Sequence, residues 1–203
     1  MGWIESITAQ FRAKACRSFV LHGNTEDYFL KKGELVSLPE FLASHFVPDW
    51  DLVLCVDPAD GGKARALRQS EVGRGILERV PLDGGTQGLR ELVLYCVNLG
   101  KVGEARPHVA IIFNNAQYLF PENGDPVEPL AIKRWAQDPL YADHPLATFV
   151  IAPQLAPLHA VLRDNIYSSR EEVPMPGAPD IHALFQAQAA ACPRALEGLG
   201  DMR

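Results

Sequence analysis

The sequence predicts a doubly wound α/β sandwich around a mostly parallel sheet, and three observations carry that reading. Four short runs, SFVLH at 18–22, DLVLCV at 51–56, HVAIIF at 108–113 and ATFVIA at 147–152, are apolar throughout, as strands buried on both faces are. Segments with apolar residues at helical spacing separate them, and this alternation of strand and helix is the pattern of a parallel sheet covered on both sides. The length, 203 residues with 47% hydrophobic and 22% charged, suits one domain with or without an appendage.

Each element follows from local pattern. From Trp3 to Ala15, Ile4, Ile7 and Phe11 recur at helical spacing and predict an amphipathic entry helix. SFVLH is the first strand, ended by Gly23 and Asn24. Ser37 and Glu40 have the spacing of a capping box, and Leu38, Phe41, Leu42 and His45 continue at helical period toward Pro48. DLVLCV is the second strand, closed by Asp57-Pro58. From Asp57 to Gly88 glycines and arginines crowd in (Gly61, Gly62, Gly73, Gly75, Gly84, Gly85; Arg65, Arg68, Arg74, Arg79), which predicts an exposed, partly irregular excursion with a short helix around 64–71.

Beyond the excursion Leu89, Leu92, Val93, Cys96 and Val97 share one helical face after Thr86. HVAIIF is the third strand. A Pro- and Gly-rich loop at 121–129 precedes a helix marked by Ile132, Trp135 and Ala136, and ATFVIA is the fourth strand. A short helix over 157–163 puts Leu158, Val161 and Leu162 inward. The polar run YSSREEV at 167–173 is the fifth strand, and Asp180 caps a last helix on which Ile181, Leu184 and Phe185 share a face.

Composition excludes several classes of function. Lysine and arginine number 19 against 25 aspartates and glutamates, a net charge of −6, so no basic excess offers itself to nucleic-acid phosphates. Cys16, Cys55, Cys96 and Cys192 stand singly, without metal-ligand or redox spacing, and read as reduced thiols. The start MGWIESITAQF lacks the basic opening and apolar stretch of a secretory signal, and nothing approaches the ~20 apolar residues of a membrane span. The expectation is a cytoplasmic protein with no membrane and no nucleic-acid partner.

Ligands of doubly wound sheets bind beyond the carboxyl ends of the strands. That edge presents His22, Gly23, Asn24, Asp57, Asn114, Asn115, Pro153 and Gln154. A phosphate-binding loop of the form G-x-x-x-x-G-K-[ST] is not met: Gly62-Lys63 has Asp57 and Ala64 at the first-glycine and hydroxyl places, and Gly100-Lys101 has Tyr95 and Val102. After the first strand the chain reads HGNTEDYFL, where Glu26 and Asp27 would repel phosphate. The dinucleotide motif fails at Glu78, and neither the G-x-S-x-G nor the H-E-x-x-H template occurs. His22 and Asp57 are candidate edge groups, with a structural histidine and a turn-forming Asp-Pro as their simpler roles.

The order of these strands and three short motifs resemble the core of AAA-type ATPases over roughly residues 16–190. HVAIIFNNAQYLFP is similar to a Walker B strand and its following loop, FVIAPQLAPLHAVLRDN to the sensor-one strand and helix, and SSREEVPMPGAPD to the passage toward the lid. The resemblance implies a five-stranded sheet of the P-loop NTPase or AAA type. It divides the chain into an entry helix at 1–16, an AAA-like domain at 17–177 and a C-terminal helix and tail at 178–203, too short for a complete helical lid.

The departures from the family matter more. Where the family has the aspartate of the magnesium shell and the glutamate that polarises water, this chain has Asn114 and Asn115. The sensor asparagine corresponds to Gln154 and the arginine-finger region to Arg163, which would then be an interface residue. Losing one preorganised electrostatic group commonly costs about 10²–10³ in rate, and several are missing together. The resemblance is to the inactive amino-terminal half of a tandem AAA protein, with any ATPase activity residing in a linked or partner AAA domain.

Three functions follow as expectations. The first is a non-catalytic module for assembly or regulation, without cofactor, whose partners are proteins: itself or an active AAA ATPase domain. The second is a domain that binds ATP without hydrolysis through a vestigial site of Gly23, Asn24, Asn114, Asn115 and Gln154. The third is an unrelated α/β enzyme built on His22, Asp57 and Asn114.

Overall fold

The computed structural model describes residues 2–45, 50–82, 85–101, 106–142 and 144–191. Pro48, Gly84, Cys192 and the tail at 195–203 lie outside the described residues. Helix α1 spans Trp3–Arg12 and strand β1 Ser18–Gly23. A hairpin of β2 (Phe29–Lys31) and β3 (Glu34–Val36) then leads to α2 (Leu38–His45) and β4 (Leu52–Val56). Strand β5 (Ala64–Gln69) precedes α3 (Glu71–Arg79), α4 (Thr86–Lys101) and β6 (Val109–Phe113). Three helices, α5 (Ala116–Leu119), α6 (Val127–Gln137) and α7 (Pro139–Ala142), carry the chain to β7 (Leu146–Ile151). The short α8 (Ala160–Arg163), β8 (Ser168–Val173) and α9 (Ala178–Ala191) follow.

The central sheet has the order β5-β4-β6-β7-β1-β8, parallel except for the antiparallel β4–β5 pair. The α/β class therefore stands, and the sheet has a sixth strand where the sequence predicts five. That strand corrects the helix expected around 64–71. Ala64, Arg65, Ala66, Leu67 and Arg68 favour helix intrinsically, yet pairing with the fully buried β4 overrides a preference of only a few tenths of a kcal/mol per residue. The hairpin is a second departure. Lys31 pairs with Glu34 across Lys32 and Gly33, both at positive φ, which is the geometry of a two-residue primed turn.

Alternation along the strands divides the core into two layers. Leu52, Leu54 and Val56 of β4 and Val109, Ile111 and Phe113 of β6 pack with Leu89, Leu92, Ile132 and Trp135 of α4 and α6. Val53, Cys55, Ala110, Ile112, Phe19 and Phe149 face the other way, onto Ile4 and Ile7 of α1 and Leu38 and Leu42 of α2. Full burial of each such side chain is worth about 1.5–3 kcal/mol, so α1 is held as core. Ser6 and Gln10 of α1 also donate to Glu171 Oε1 of β8, at 3.2 and 2.7 Å. Among the described residues no helix is long and apolar enough to cross a membrane.

Candidate functional site

The carboxyl edge is organised by where the crossovers leave it. From β1 the chain passes through α2 on one face of the sheet, whereas from β7 it passes through α8 on the other. The two strands are neighbours, so the switch point where doubly wound folds place ligands lies between them. At that point the backbone is closed on itself. Gly23 N–H donates to Pro153 O at 3.1 Å, Asn24 N–H to Val173 O at 2.9 Å and Thr25 N–H to Gly23 O at 2.9 Å. The amide of the last residue of β1 and the two that follow it are thus all spent on protein carbonyls.

Gly23 is the residue that permits this closure. Its φ is +89°, and a Cβ there would lie 2.8 Å from the Val173 carbonyl oxygen. Asn24 adds a side-chain bond, Nδ2 to Pro174 O at 3.4 Å. The helix that follows β1 starts only after the hairpin, and its N-terminus is already served. Glu40 Oε2 accepts from Ser37 N–H at 3.0 Å and from Ser37 Oγ at 2.9 Å, which is one half of the capping box that the sequence predicts, since the Ser37 hydroxyl donates to the carboxylate. Those two bonds hold the Glu40 carboxyl below the usual carboxylate value, the backbone bond contributing most.

The second group forms at the ends of β4 and β6, which run in register from Leu52–Val109 to Val56–Phe113. One step further, Asn114 Nδ2 donates to Asp57 Oδ2 at 2.5 Å, and Asn115 Nδ2 reaches the same oxygen at 3.4 Å. Asp57 Oδ1 accepts Ala59 N–H at 2.9 Å and caps the 3-10 turn at Pro58–Asp60. Both carboxylate oxygens are therefore occupied. Asn115 sits at φ +50° and ψ +42°, left-handed values that asparagine tolerates better than most side chains. It turns the chain into α5.

The sequence-predicted residues therefore separate. Gly23 and Asn24 join Pro153, Val173 and Pro174; Asn114 and Asn115 join Asp57. Gln154 is exposed on the turn after β7. His22 lies on β1, two strands from β6, and alternation from Val20 places it on the opposite face from Asp57 and Asn114. Clefts at α1–β8, at the hairpin and α9, and at α4–α6 are lined by none of His22, Asp57 and Asn114. Among the described residues no cluster of three His, Cys, Asp or Glu could hold a metal ion.

Arg163 ends α8 and is bound within its own chain. Its guanidinium donates to Asp164 Oδ2 at 3.3 Å, Glu122 Oε1 at 3.4 Å and Ala156 O at 3.3 Å, leaving a quarter of the side chain exposed. Asp164, then Glu122, raises its already high pKa, so the cation is permanent. Sequence reasoning missed Glu122 because it lies 41 residues away in a loop. It also missed the partnership of Asp57 with the two asparagines, although both segments end apolar strands and could have been set side by side. Two buried polar atoms in this region have no partner, Thr25 Oγ1 and Gln117 Oε1.

The chain is similar to a chain in the E. coli MS115-1 HORMA:CdnC:Trip13 complex at 13% identity and a TM-score of 0.49, covering 87% of this chain and 54% of that one, about half its length. It is also similar to the genome packaging NTPase B204 of Sulfolobus turreted icosahedral virus 2 in complex with ATP-gammaS, at 11% identity and a TM-score of 0.43 over 91% of this chain and 87% of that one. The comparison with curated proteins gives no match. Residues 2–174 match the family model described as AAA+ chaperone, N-terminal Rossmann-like domain. With most of its length so matched and an AAA-type α/β fold, the chain belongs to the family of AAA+ chaperone N-terminal Rossmann-like domains.

Proposed function

We propose that this domain does not hydrolyse ATP and serves as an assembly or regulatory module, acting through protein partners that are copies of itself or an active AAA ATPase domain. The observation that carries the reading is the fate of the three amides where β1 ends, those of residues 23–25. A phosphate cradle needs backbone N–H groups aimed outward, and those of residues 23–25 end on carbonyl oxygens. The other requirements of magnesium triphosphate fare no better. Asp57 has both oxygens engaged, Asn114 and Asn115 carry no charge to hold a metal or activate water, and Glu26 and Asp27 follow β1 where a lysine would be needed. The edge residues do not fit the group.

Arg163 is paired with Glu122 and Asp164 of its own chain, which balance its charge, so an interface role would require it to exchange those partners. Free Cys16 and the buried thiols of Cys55 and Cys96 are compatible with the cytoplasmic setting we assign. The test has two arms. Purified protein should show no phosphate release above a blank with ATP and magnesium, and it should self-associate or bind an AAA ATPase domain in sedimentation. Turnover inhibited by a non-hydrolysable analogue would overturn the proposal.

A second reading, nucleotide binding without hydrolysis, is favoured by one observation: Thr25 Oγ1 and Gln117 Oε1 are buried without partners in segments that leave β1 and β6. Calorimetry with ATP separates the two. Saturable heat at micromolar nucleotide, lost in Thr25→Val, supports binding; a flat titration removes it. The reading as an unrelated enzyme loses its basis, since His22 lies apart from Asp57 and Asn114.

A further inference from the structure

The cleft between the β2–β3 hairpin and α9 has a floor that does not depend on α9. Trp3 of α1, Phe29 of β2 and Phe41 of α2 pack on one another, with ring centroids 6.3 Å (Trp3–Phe29), 6.2 Å (Trp3–Phe41) and 5.1 Å (Phe29–Phe41) apart. All three also rest on the core layer beneath α1 and α2. Tyr28, 64% exposed, and Pro174 extend the lining as far as Asn24 at the switch point. Three separate elements thus hold an aromatic surface in place beside the carboxyl edge of the sheet.

Helix α9 closes this cleft without filling it. Ala183 and Leu184 form its wall on that side, yet about 260 Å³ stays open with the helix in place. None of the described side chains of α9 is buried, and Ile181 and Phe185, which helical spacing puts on one face with Leu184, remain 42% and 59% exposed. Among the described residues no hydrogen bond or ion pair ties α9 to anything beyond itself and its own linker, where Asp180 Oδ2 accepts Gly177 N–H at 2.9 Å. The linker at 174–177 is irregular, and its two prolines have no N–H to donate. A helix of 14 residues is marginal alone in water, so α9 depends on this shallow contact.

We propose that α9 is an autoinhibitory strap: it lifts from the aromatic cleft, and the cleft it uncovers takes an apolar helix of a partner protein. The occupant is named by what sits there. A helix that presents a small and a large apolar side chain next to each other, as Ala183 and Leu184 do, is the shape the cleft accepts. The lining holds no cation, and its one carboxylate, Asp180, departs with α9, so the uncovered cleft selects by apolar contact and not by charge. Elements with few buried apolar contacts open locally at low cost, and the open fraction sets the apparent affinity for anything that competes with α9. This inference rests on the assembly-module reading and gives that module a partner-facing surface under the control of α9.

The probe is a fluorescein-labelled peptide of residues 178–191, titrated into the full chain and followed by anisotropy. Wild type, whose cleft is occupied by its own helix, should bind it weakly. Leu184→Glu in the protein expels the strap and should tighten binding at least about tenfold, because the apparent dissociation constant varies inversely with the open fraction. Adding Tyr28→Glu to that variant, or placing Leu184→Glu in the peptide instead, should abolish the gain. Circular dichroism checks that each variant folds, and Ala183→Glu replaces Leu184→Glu if that one does not. Amide exchange is a readout that needs no peptide: in wild type the amides of α9 should exchange well ahead of those of β1 and β8. Equal binding to wild type and strap variant, no binding to either, or α9 amides protected as long as those of β1 overturns the strap. Each of those results leaves the module reading standing, whereas ATP turnover overturns that reading and leaves the strap untouched.

Discussion

Asn114 donates its side-chain amide to the carboxylate of Asp57 at 2.5 Å, joining the ends of two parallel strands across the sheet edge. The bond requires one donor and one acceptor, so the pair tolerates an amide opposite a carboxylate and not two carboxylates. Replacing Asn114→Asp should cost about 1–3 kcal/mol at neutral pH, because a charge-assisted bond becomes a repulsion between like charges. The penalty must shrink on acidification, when one carboxyl takes up a proton and donates again. Urea unfolding at neutral and mildly acidic pH measures this, and the added Asp57→Asn change should recover much of the loss. An Asn114→Asp chain of unchanged stability at both pH values contradicts the argument.

Gly23 holds the closure of β1 against β7 and β8 through a backbone conformation that side chains rarely adopt. In Gly23→Ala the new methyl carbon meets Val173 O at 2.8 Å while φ stays near +89°, and relief of either strain breaks the bonds to Pro153 O or Val173 O. The expected cost is about 1–3 kcal/mol, read as a lowered Tm. Amide exchange should accelerate at residues 23–25 more than in β4 or β6. Uniform acceleration across the sheet would mean that the glycine is important only for global stability.

The parts of this fold legible in the sequence were those whose burial left a local pattern. The fully buried β1, β4, β6 and β7 appear as unbroken apolar runs, and α4 as a face of Leu89, Leu92, Val93, Cys96 and Val97. Segment 57–88 was obscured because its glycines serve different ends. Gly61 and Gly62 turn the chain at positive φ, but Gly73 lies inside α3, where a Cβ would sit 2.1 Å from Asp51 O. That glycine allows the helix to approach the start of β4, and composition alone cannot distinguish the two uses. The candidate site was legible as a set of residues, not as an arrangement. Asn114 and Asn115 signalled a missing acidic pair, yet their engagement with Asp57 depends on strand register between segments 57 residues apart.

Burial sets the reactivity of the thiols. Cys55 on β4 and Cys96 on α4 are both pushed up to about 12, chiefly because the packed core penalises a thiolate. At pH 8 they should resist iodoacetamide in the native chain and react promptly in urea, which peptide mass spectrometry resolves site by site. A thiol whose value is raised by folding destabilises the native state at alkaline pH, because the unfolded chain releases its proton first. Stability should therefore fall progressively between about pH 9 and 12, and the slope should lessen in Cys55→Ala or Cys96→Ala.

The Glu40–Ser37 contact gives the opposite dependence on acid. Glu40 is held below the ordinary carboxylate value of 4.5 by its bonds to Ser37, so its contribution is complete above that value and disappears as pH falls through the lower folded-state value. The group is exposed and solvent-screened, which places the contribution at the low end for a cap, about 0.5 kcal/mol. Glu40→Gln keeps a side chain able to accept from Ser37 but removes the charge at the N-terminus of α2. Wild type and variant should therefore differ in urea midpoint at pH 7 and converge as the pH falls through the lowered folded-state value, with any difference at pH 7 reduced by salt. A gap that persists unchanged into acid would mean that Glu40 acts through packing, and that the start of α2 is not electrostatically satisfied by its own chain.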